Sequence, residues 1–241
     1  MAWNVTRSTS GPDQSTQWLV EPVDPSHGDG EQRVDLKQRF QTMVGFGGAF
    51  TEAAAYTLSR MPAERRAEAI ASYFDRDRGL GYSIGRVPVH SCDFSLGNYT
   101  YIGEGDEALE SFSLAHEEQW LFPLIRDAEA ARGAKIPLLA SPWSPPGWMK
   151  TNGEMNHGGR LLPEYRELWA RYLTRYIREM KAKGFDLWAL TVQNEPAAVQ
   201  TWDSCVYSAE EERDFVRDYL GPALHDEDLA DVKLLVWDHN R

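Results

Sequence analysis

Cysteine is scarce in this chain: Cys92 and Cys205 are the two present in 241 residues. They are far apart and in no metal-ligand spacing, which excludes a disulfide framework while leaving room for a single bridge. Long apolar runs are missing too. None approaches the roughly 20 residues that a membrane-spanning helix needs, so no membrane span is expected. Residues 1–11 lack the apolar core of a secretory signal, so the chain is expected to be cytoplasmic or to be exported by a signal outside these residues. Basic charge is in short supply: Lys+Arg 25 against Asp+Glu 37 leaves a formal charge of −12. Nucleic acid and anionic membrane would both be repelled, and neither is expected as the main partner. An acidic surface accommodates neutral ligands such as carbohydrate, and it serves solubility equally well.

What is present is apolar material in a rhythm. Hydrophobic residues make up 42% of the chain, which is long enough to bury a sizeable core, and nine tryptophans offer flat faces suited to cores or to sugar rings. Residues 1–40 are polar and turn-rich, with short alternating pieces at 17–23 and 32–36 that predict strands. Strands are predicted at 43–50, 82–89, 136–143, 187–192 and 233–237. Helices are predicted between them: 52–74 with a restart at Pro62, 115–132, 163–183, and one opened by the capping box Ser208-Ala209-Glu210-Glu211 and stopped at Gly221-Pro222. Near-continuously apolar strands alternating with helices imply parallel βαβ units. Successive strands end in polar or aromatic residues (Gly47-Gly48, His90/Asp93, Trp143, Asn194-Glu195), as in a (β/α)8 barrel whose active site is assembled from strand ends. A dinucleotide-binding sheet is disfavoured, because Gly45-Phe46-Gly47-Gly48-Ala49-Phe50 fails GxGxxG at its last position.

The strongest chemical signal is Thr191-Val192-Gln193-Asn194-Glu195-Pro196 at the end of an apolar strand. It sets a carboxylic acid at a strand tip, with an amide donor before it and a proline that stops the strand. Glycoside hydrolysis needs such an acid to protonate the leaving oxygen, together with a second carboxyl group. Asn194 suits a contact to the sugar 2-hydroxyl. Arg86, inside the otherwise apolar strand Tyr82 to Pro88, needs a partner and suits the support of a carboxylate. Asp93 suits sugar hydroxyls, and Trp143 suits a pocket wall. Each has an ordinary structural reading as well: an ion pair, a turn residue, a core indole. The scattered histidines do not suggest a metal, and no nucleophile elbow supports a Ser-His-Asp triad. Asn4-Val5-Thr6 and Asn98-Tyr99-Thr100 are sequons that matter only after export.

Gly45 to Ala55, Arg86-Val87-Pro88, Ser91-Cys92-Asp93-Phe94-Ser95, Ala140 to Pro146, Lys150-Thr151-Asn152-Gly153 and Thr191 to Pro196 together resemble glycoside hydrolase family 30. That family includes lysosomal acid glucosylceramidase and microbial β-1,6-glucanases. The resemblance implies an α/β fold, a (β/α)8 TIM barrel with a β-sandwich side domain fed by strands from both termini. Residues 1–40 would contribute to the sandwich, and 41–241 would be the first part of the barrel, truncated after five βα units. It implies a retaining mechanism without metal or other cofactor, on a β-linked glucoside or glucan. Glu195 would be the general acid/base, Asn194 the 2-hydroxyl contact and Arg86 the carboxylate-supporting arginine, with Asp93 and Trp143 touching substrate. The family's nucleophilic glutamate ends the seventh barrel strand, whereas Glu210, Glu211, Glu212 and Glu227 follow the fourth barrel strand in a helix or the turn after it. The nucleophile is therefore expected beyond residue 241, in a missing C-terminal half or a second chain, and the chain alone is expected to be inactive. The alternative is a non-catalytic carbohydrate-binding or scaffold fragment completed by another chain.

Overall fold

Five parallel strands lie side by side in the order in which they occur in the chain in the computed structural model, which describes residues 4–10, 16–22 and 37–240. They are β3 (Gly47–Ala49), β4 (Ile84–Val89), β5 (Leu138–Pro142), β6 (Leu187–Thr191) and β7 (Lys233–Leu235). The order decides the architecture. Crossovers between parallel strands are right-handed, so strands that always step in one direction place every helix on one face and curl the other face inward. A doubly wound sheet reverses its strand order partway and covers both faces. The sheet is thus the wall of a partial barrel.

The helices α1 (Glu52–Ser59), α2 (Ala63–Phe74), α3 (Ala115–Gln119), α4 (Leu121–Arg132), α5 (Arg166–Ala182), α6 (Ala209–Phe215) and α7 (Gly221–Asp226) fill the connections. The Thr51 hydroxyl accepts from the Ala54 N–H to start α1, and Pro62, in extended conformation, separates α1 from α2. α5 buries Leu168, Trp169, Tyr172, Leu173, Tyr176, Ile177 and Met180, the face its i, i+3, i+4 spacing predicts. At about 1.5–3 kcal/mol for each large apolar side chain fully buried, this face is a main anchor of the helical layer.

Three expectations are corrected. The strand predicted at 43–50 shrinks to Gly47–Ala49. Gly47 approaches Ile84 so closely that a Cβ there would meet the Ile84 carbonyl oxygen, and a glycine-rich edge holds a strand poorly. The helix predicted at 115–132 is broken at Trp120 into α3 and α4. The capping box at Ser208 forms as predicted, with both reciprocal bonds present, but the helix does not stop at Gly221-Pro222. Residues 216–220 form a π turn, in which the Gly221 N–H bonds the Val216 carbonyl, and α7 continues beyond it. The extra residue shifts the ladder so that Pro222, which has no N–H, falls at the start of a new helical segment, where none is needed.

The chain divides into two compact units, Met1–Met43 and Val44–Arg241. The first unit contains an antiparallel pair, β1 (Asn4–Ser10) and β2 (Thr16–Pro22), with Asn4 opposite Pro22 and Ser10 opposite Thr16. β2 matches the strand predicted from residue 17. β1 has no apolar alternation to announce it, and the strand predicted at 32–36 lies outside the described residues. Within the second unit, Phe46 beside β3 and Val236 and Trp237 beside β7 expose apolar side chains next to the edge strands. No helix among the described residues is long and apolar enough to cross a membrane.

Candidate active site

The C-terminal ends of β4, β5 and β6 surround a cleft of about 520 Å³. Arg86, Asp93, Trp143, Asn194 and Glu195, the five residues singled out in the sequence, all line it, joined at its rim by Phe94, Gln200 and Trp202. A separate cavity between β3 and α2, of about 350 Å³, is lined by apolar residues such as Phe50, Ile70 and Phe74 and offers no carboxyl or cationic group.

Arg86 is the hub of the cleft. Its Nε donates to Ser141 Oγ at 3.0 Å, and its Nη2 donates to Asn194 Oδ1 at 2.8 Å and to Asp238 Oδ2 at 2.6 Å. Its guanidinium carbon sits 4.6 Å from the centre of the Trp143 ring. The planar fork can serve three acceptors and an aromatic face together, which an ammonium cannot. The carboxylate Arg86 supports is Asp238, just beyond β7. Sequence reasoning missed both Asp238 and Ser141. The signal for Asp238 was available, since it follows the apolar run 234–237 as Asn194 follows its own strand. Because Asn194 Oδ1 accepts from Arg86, its Nδ2 is left as the donor end of the amide.

Glu195 is half-buried, with its backbone in the left-handed region at φ 46°, a costly conformation for a residue with a Cβ. It is held there by its N–H, which bonds the Asp238 carbonyl at 2.8 Å, while the preceding Asn194 N–H bonds the Pro142 carbonyl at 2.8 Å. The turn lifts the Glu195 side chain into the cleft instead of continuing the strand. Asp93, on the loop after β4, is more exposed. Partial burial raises its carboxyl above the ordinary value, and the neighbouring Glu195 charge adds to the rise, while the Trp143 side chain opposes it.

Next to the cleft lies a buried polar layer, in which the sequence had marked His90 as a strand-end residue but not its burial or its partners. His90, fully buried and also left-handed at φ 54°, bonds Ser144 O through Nε2 at 2.6 Å and the Tyr172 hydroxyl through Nδ1 at 2.9 Å. Ser91 Oγ donates to buried Asp203 at 2.6 Å. Lys150 joins the loops that follow β5 and β6, its Nζ donating to the carbonyls of Met155 and Ser204; burial pushes this amine down to about 8. Cys92 and Cys205 are buried free thiols, so the bridge left open by the sequence is not formed. No cluster of metal-ligating side chains occurs among the described residues.

His90 predicts an acid-sensitive fold. Burial pushes its pKa down from 6.5 to about 4, with the Ser144 carbonyl and the Asp203 charge opposing that shift. In acid the unfolded chain takes up the proton before the folded chain does. The stability this group contributes is therefore intact above pH 6.5 and is lost as the pH falls toward 4, by about 3 kcal/mol in all. Urea titrations across pH 4–7 should show this loss, and His90→Gln should flatten the dependence. An unchanged slope in the variant would contradict the assignment.

Parallel strands that bring carboxyl groups, a guanidinium and an indole together at their C-terminal ends place the molecule in the class of (β/α)-barrel enzymes. The TIM-barrel domain of glycosyl hydrolase family 30 matches residues 43–241, and the chain belongs to that family of glycoside hydrolases. It is 37% identical over 215 residues to lysosomal acid glucosylceramidase of Mus musculus, covering 85% of this chain and 41% of the mouse enzyme. SrfJ from Salmonella typhimurium superposes with a TM-score of 0.83 at 38% identity, over 99% of this chain and 54% of SrfJ. The endo-β1,6-glucanase BT3312 superposes with a TM-score of 0.79 at 33% identity, over 86% of this chain and 46% of that enzyme. The chain thus spans about half the length of these relatives, or less.

Proposed function

We propose that this chain carries the acid/base portion of a retaining β-glycosidase site acting on β-linked glucosides, of the glucosylceramide or β-1,6-glucan type. The observation that carries the reading is Glu195, lifted from a strand end into a cleft it shares with Asn194, Asp93 and Trp143. Glu195 protonates the leaving oxygen and then, as a carboxylate, draws a proton from the attacking water. The Asn194 Nδ2, oriented by Arg86, donates to the sugar 2-hydroxyl, and Asp93 accepts from other ring hydroxyls. Trp143 forms the wall against which the ring lies.

The nucleophilic carboxylate of such a pair is supplied from outside these residues, by further polypeptide or a second chain. The lengths of the relatives support this, as does the engagement of Asp238 with Arg86, which leaves it poorly placed to attack a sugar. The hairpin β1–β2 would belong to a β-sandwich side domain, and residues 1–40 would be that domain's N-terminal contribution.

The test is direct. Purified 1–241 should not turn over an aryl β-glucoside, and supplying the remainder of a family 30 barrel should restore hydrolysis that depends on Glu195. Robust hydrolysis by 1–241 alone, abolished by Glu195→Gln, would sink the divided-site reading. Failure of every completed form to cleave any β-glucoside, with sugar binding retained, would favour a non-catalytic carbohydrate-binding role.

A further inference from the structure

Two fully buried polar side chains reach the same dipeptide from opposite sides. From the end of β4, His90 bonds the Ser144 carbonyl at 2.6 Å. From the end of β6, Gln193 Nε2 donates to the Trp143 carbonyl at 2.6 Å and to the Asn194 carbonyl at 2.9 Å. Both side chains have zero solvent exposure. A carbonyl can only accept, so the His90 proton lies on Nε2 and Nδ1 accepts from the Tyr172 hydroxyl. Tyr101 secures the same corner: its hydroxyl accepts from the His90 N–H and donates to Glu117, and its own N–H bonds the Tyr172 oxygen. Each jaw is therefore braced, His90 by α5 and Gln193 by the backbone of the Asn194 turn.

We propose that His90 and Gln193 are paired positioning residues, a clamp on the carbonyls of Trp143 and Ser144. It fixes the Trp143 indole and, through the bond from Asn194 N–H to Pro142 O, the left-handed turn that presents Glu195. The proposal rests on the glycoside reading of the cleft only for what is being positioned; the clamp itself is independent of the ligand. Neither side chain lines the cleft, so any effect on ligand must pass through Trp143, Asn194 or Glu195.

Gln193→Glu is nearly isosteric but replaces the two N–H donors with acceptors facing two carbonyl oxygens. In the 241-residue chain, amide exchange at Asn194 and Glu195 should accelerate by about tenfold relative to the α5 core, the cost of one net hydrogen bond. Lowering the pH should reverse the effect, because the introduced carboxyl regains a donor once protonated. A merely destabilising change would accelerate exchange throughout α5 and worsen in acid. His90→Phe should loosen the same amides, and the double variant should fall short of the product of the single effects, since both jaws hold one dipeptide. Uniform exchange, or strict additivity, overturns the clamp. Saturation-transfer NMR with methyl β-D-glucoside separates the two readings. Binding by the parent chain and weaker binding by Gln193→Glu support the positioning role. Equal binding despite local loosening overturns that role. Local loosening without sugar binding by the parent chain leaves the clamp standing and counts against the glycoside reading.

Discussion

Replacing Glu195 with Gln in an active assembly containing this chain is expected to lower kcat by about 10²- to 10⁴-fold on glycosides with poor leaving groups, the range attributed to a positioned general acid/base. The substitution keeps the size, the left-handed turn and the backbone bond to Asp238, so the loss should be chemical and not structural. Its signature is dependence on the leaving group. An alkyl or sugar alkoxide needs a proton as the bond breaks, whereas a dinitrophenolate does not. Glycosylation by a dinitrophenyl β-glucoside should therefore be nearly spared, while the second step, for which Glu195 is the proposed base, becomes limiting. A pre-steady-state burst of dinitrophenolate followed by slow turnover is the expected trace. Equal loss on all leaving groups, without a burst, would remove Glu195 from the acid/base role.

Arg86→Ala is expected to be nearly as damaging, for a different reason. One guanidinium serves Ser141, Asn194 and Asp238 and lies over Trp143. Removing it leaves the Asp238 carboxylate with Ser141 Oγ at 3.2 Å and frees the Asn194 amide to rotate. Arg86 and Asp238 are each about a quarter exposed, which discounts the penalty of a fully buried broken pair to about 2–3 kcal/mol of stability. Denaturant melts measure this. In the active assembly, kcat/KM should fall by about 100-fold through the misplaced Asn194 donor, an effect of the size of a lost charge-assisted hydrogen bond. Arg86→Lys should recover part of the stability, because the charge returns. It should recover little of the activity, because an ammonium lacks the fork and the stacking plane. An Arg86→Lys enzyme with parental activity would show that Arg86 acts as a simple charge.

Much of this site could be read before any coordinates. Asn194-Glu195-Pro196 after an apolar run, Arg86 inside another, and Trp143 and Asp93 at the ends of two more all converge on one cleft. Strand-end logic works because a parallel strand must be apolar along its buried length, so the first polar residues after it stand where the barrel opens. The same logic applied to residues 234–237 would have found Asp238. It could not have found the grip of His90 and Gln193 on adjacent carbonyls, because the partners are backbone atoms that carry no residue identity. Nor could it have found the π turn at 216–220, since Gly221-Pro222 reads as a stop unless an inserted residue moves the hydrogen-bond register.

By itself, then, the sequence determined the alternation of strand and helix, the buried face of α5, the capping box at Ser208 and five of the residues that line the cleft, Arg86, Asp93, Trp143, Asn194 and Glu195. These follow from local periodicity and from the chemistry of single side chains. Only the tertiary structure decided which carboxylate Arg86 holds, which end of the Asn194 amide accepts from Arg86, and why Glu195 tolerates a left-handed backbone. Each depends on contacts between strand ends far apart along the chain, such as Arg86 with Ser141, Arg86 with Asp238 and Glu195 with Asp238. Proximity of that kind is created by closing parallel strands side by side, and no local pattern encodes it.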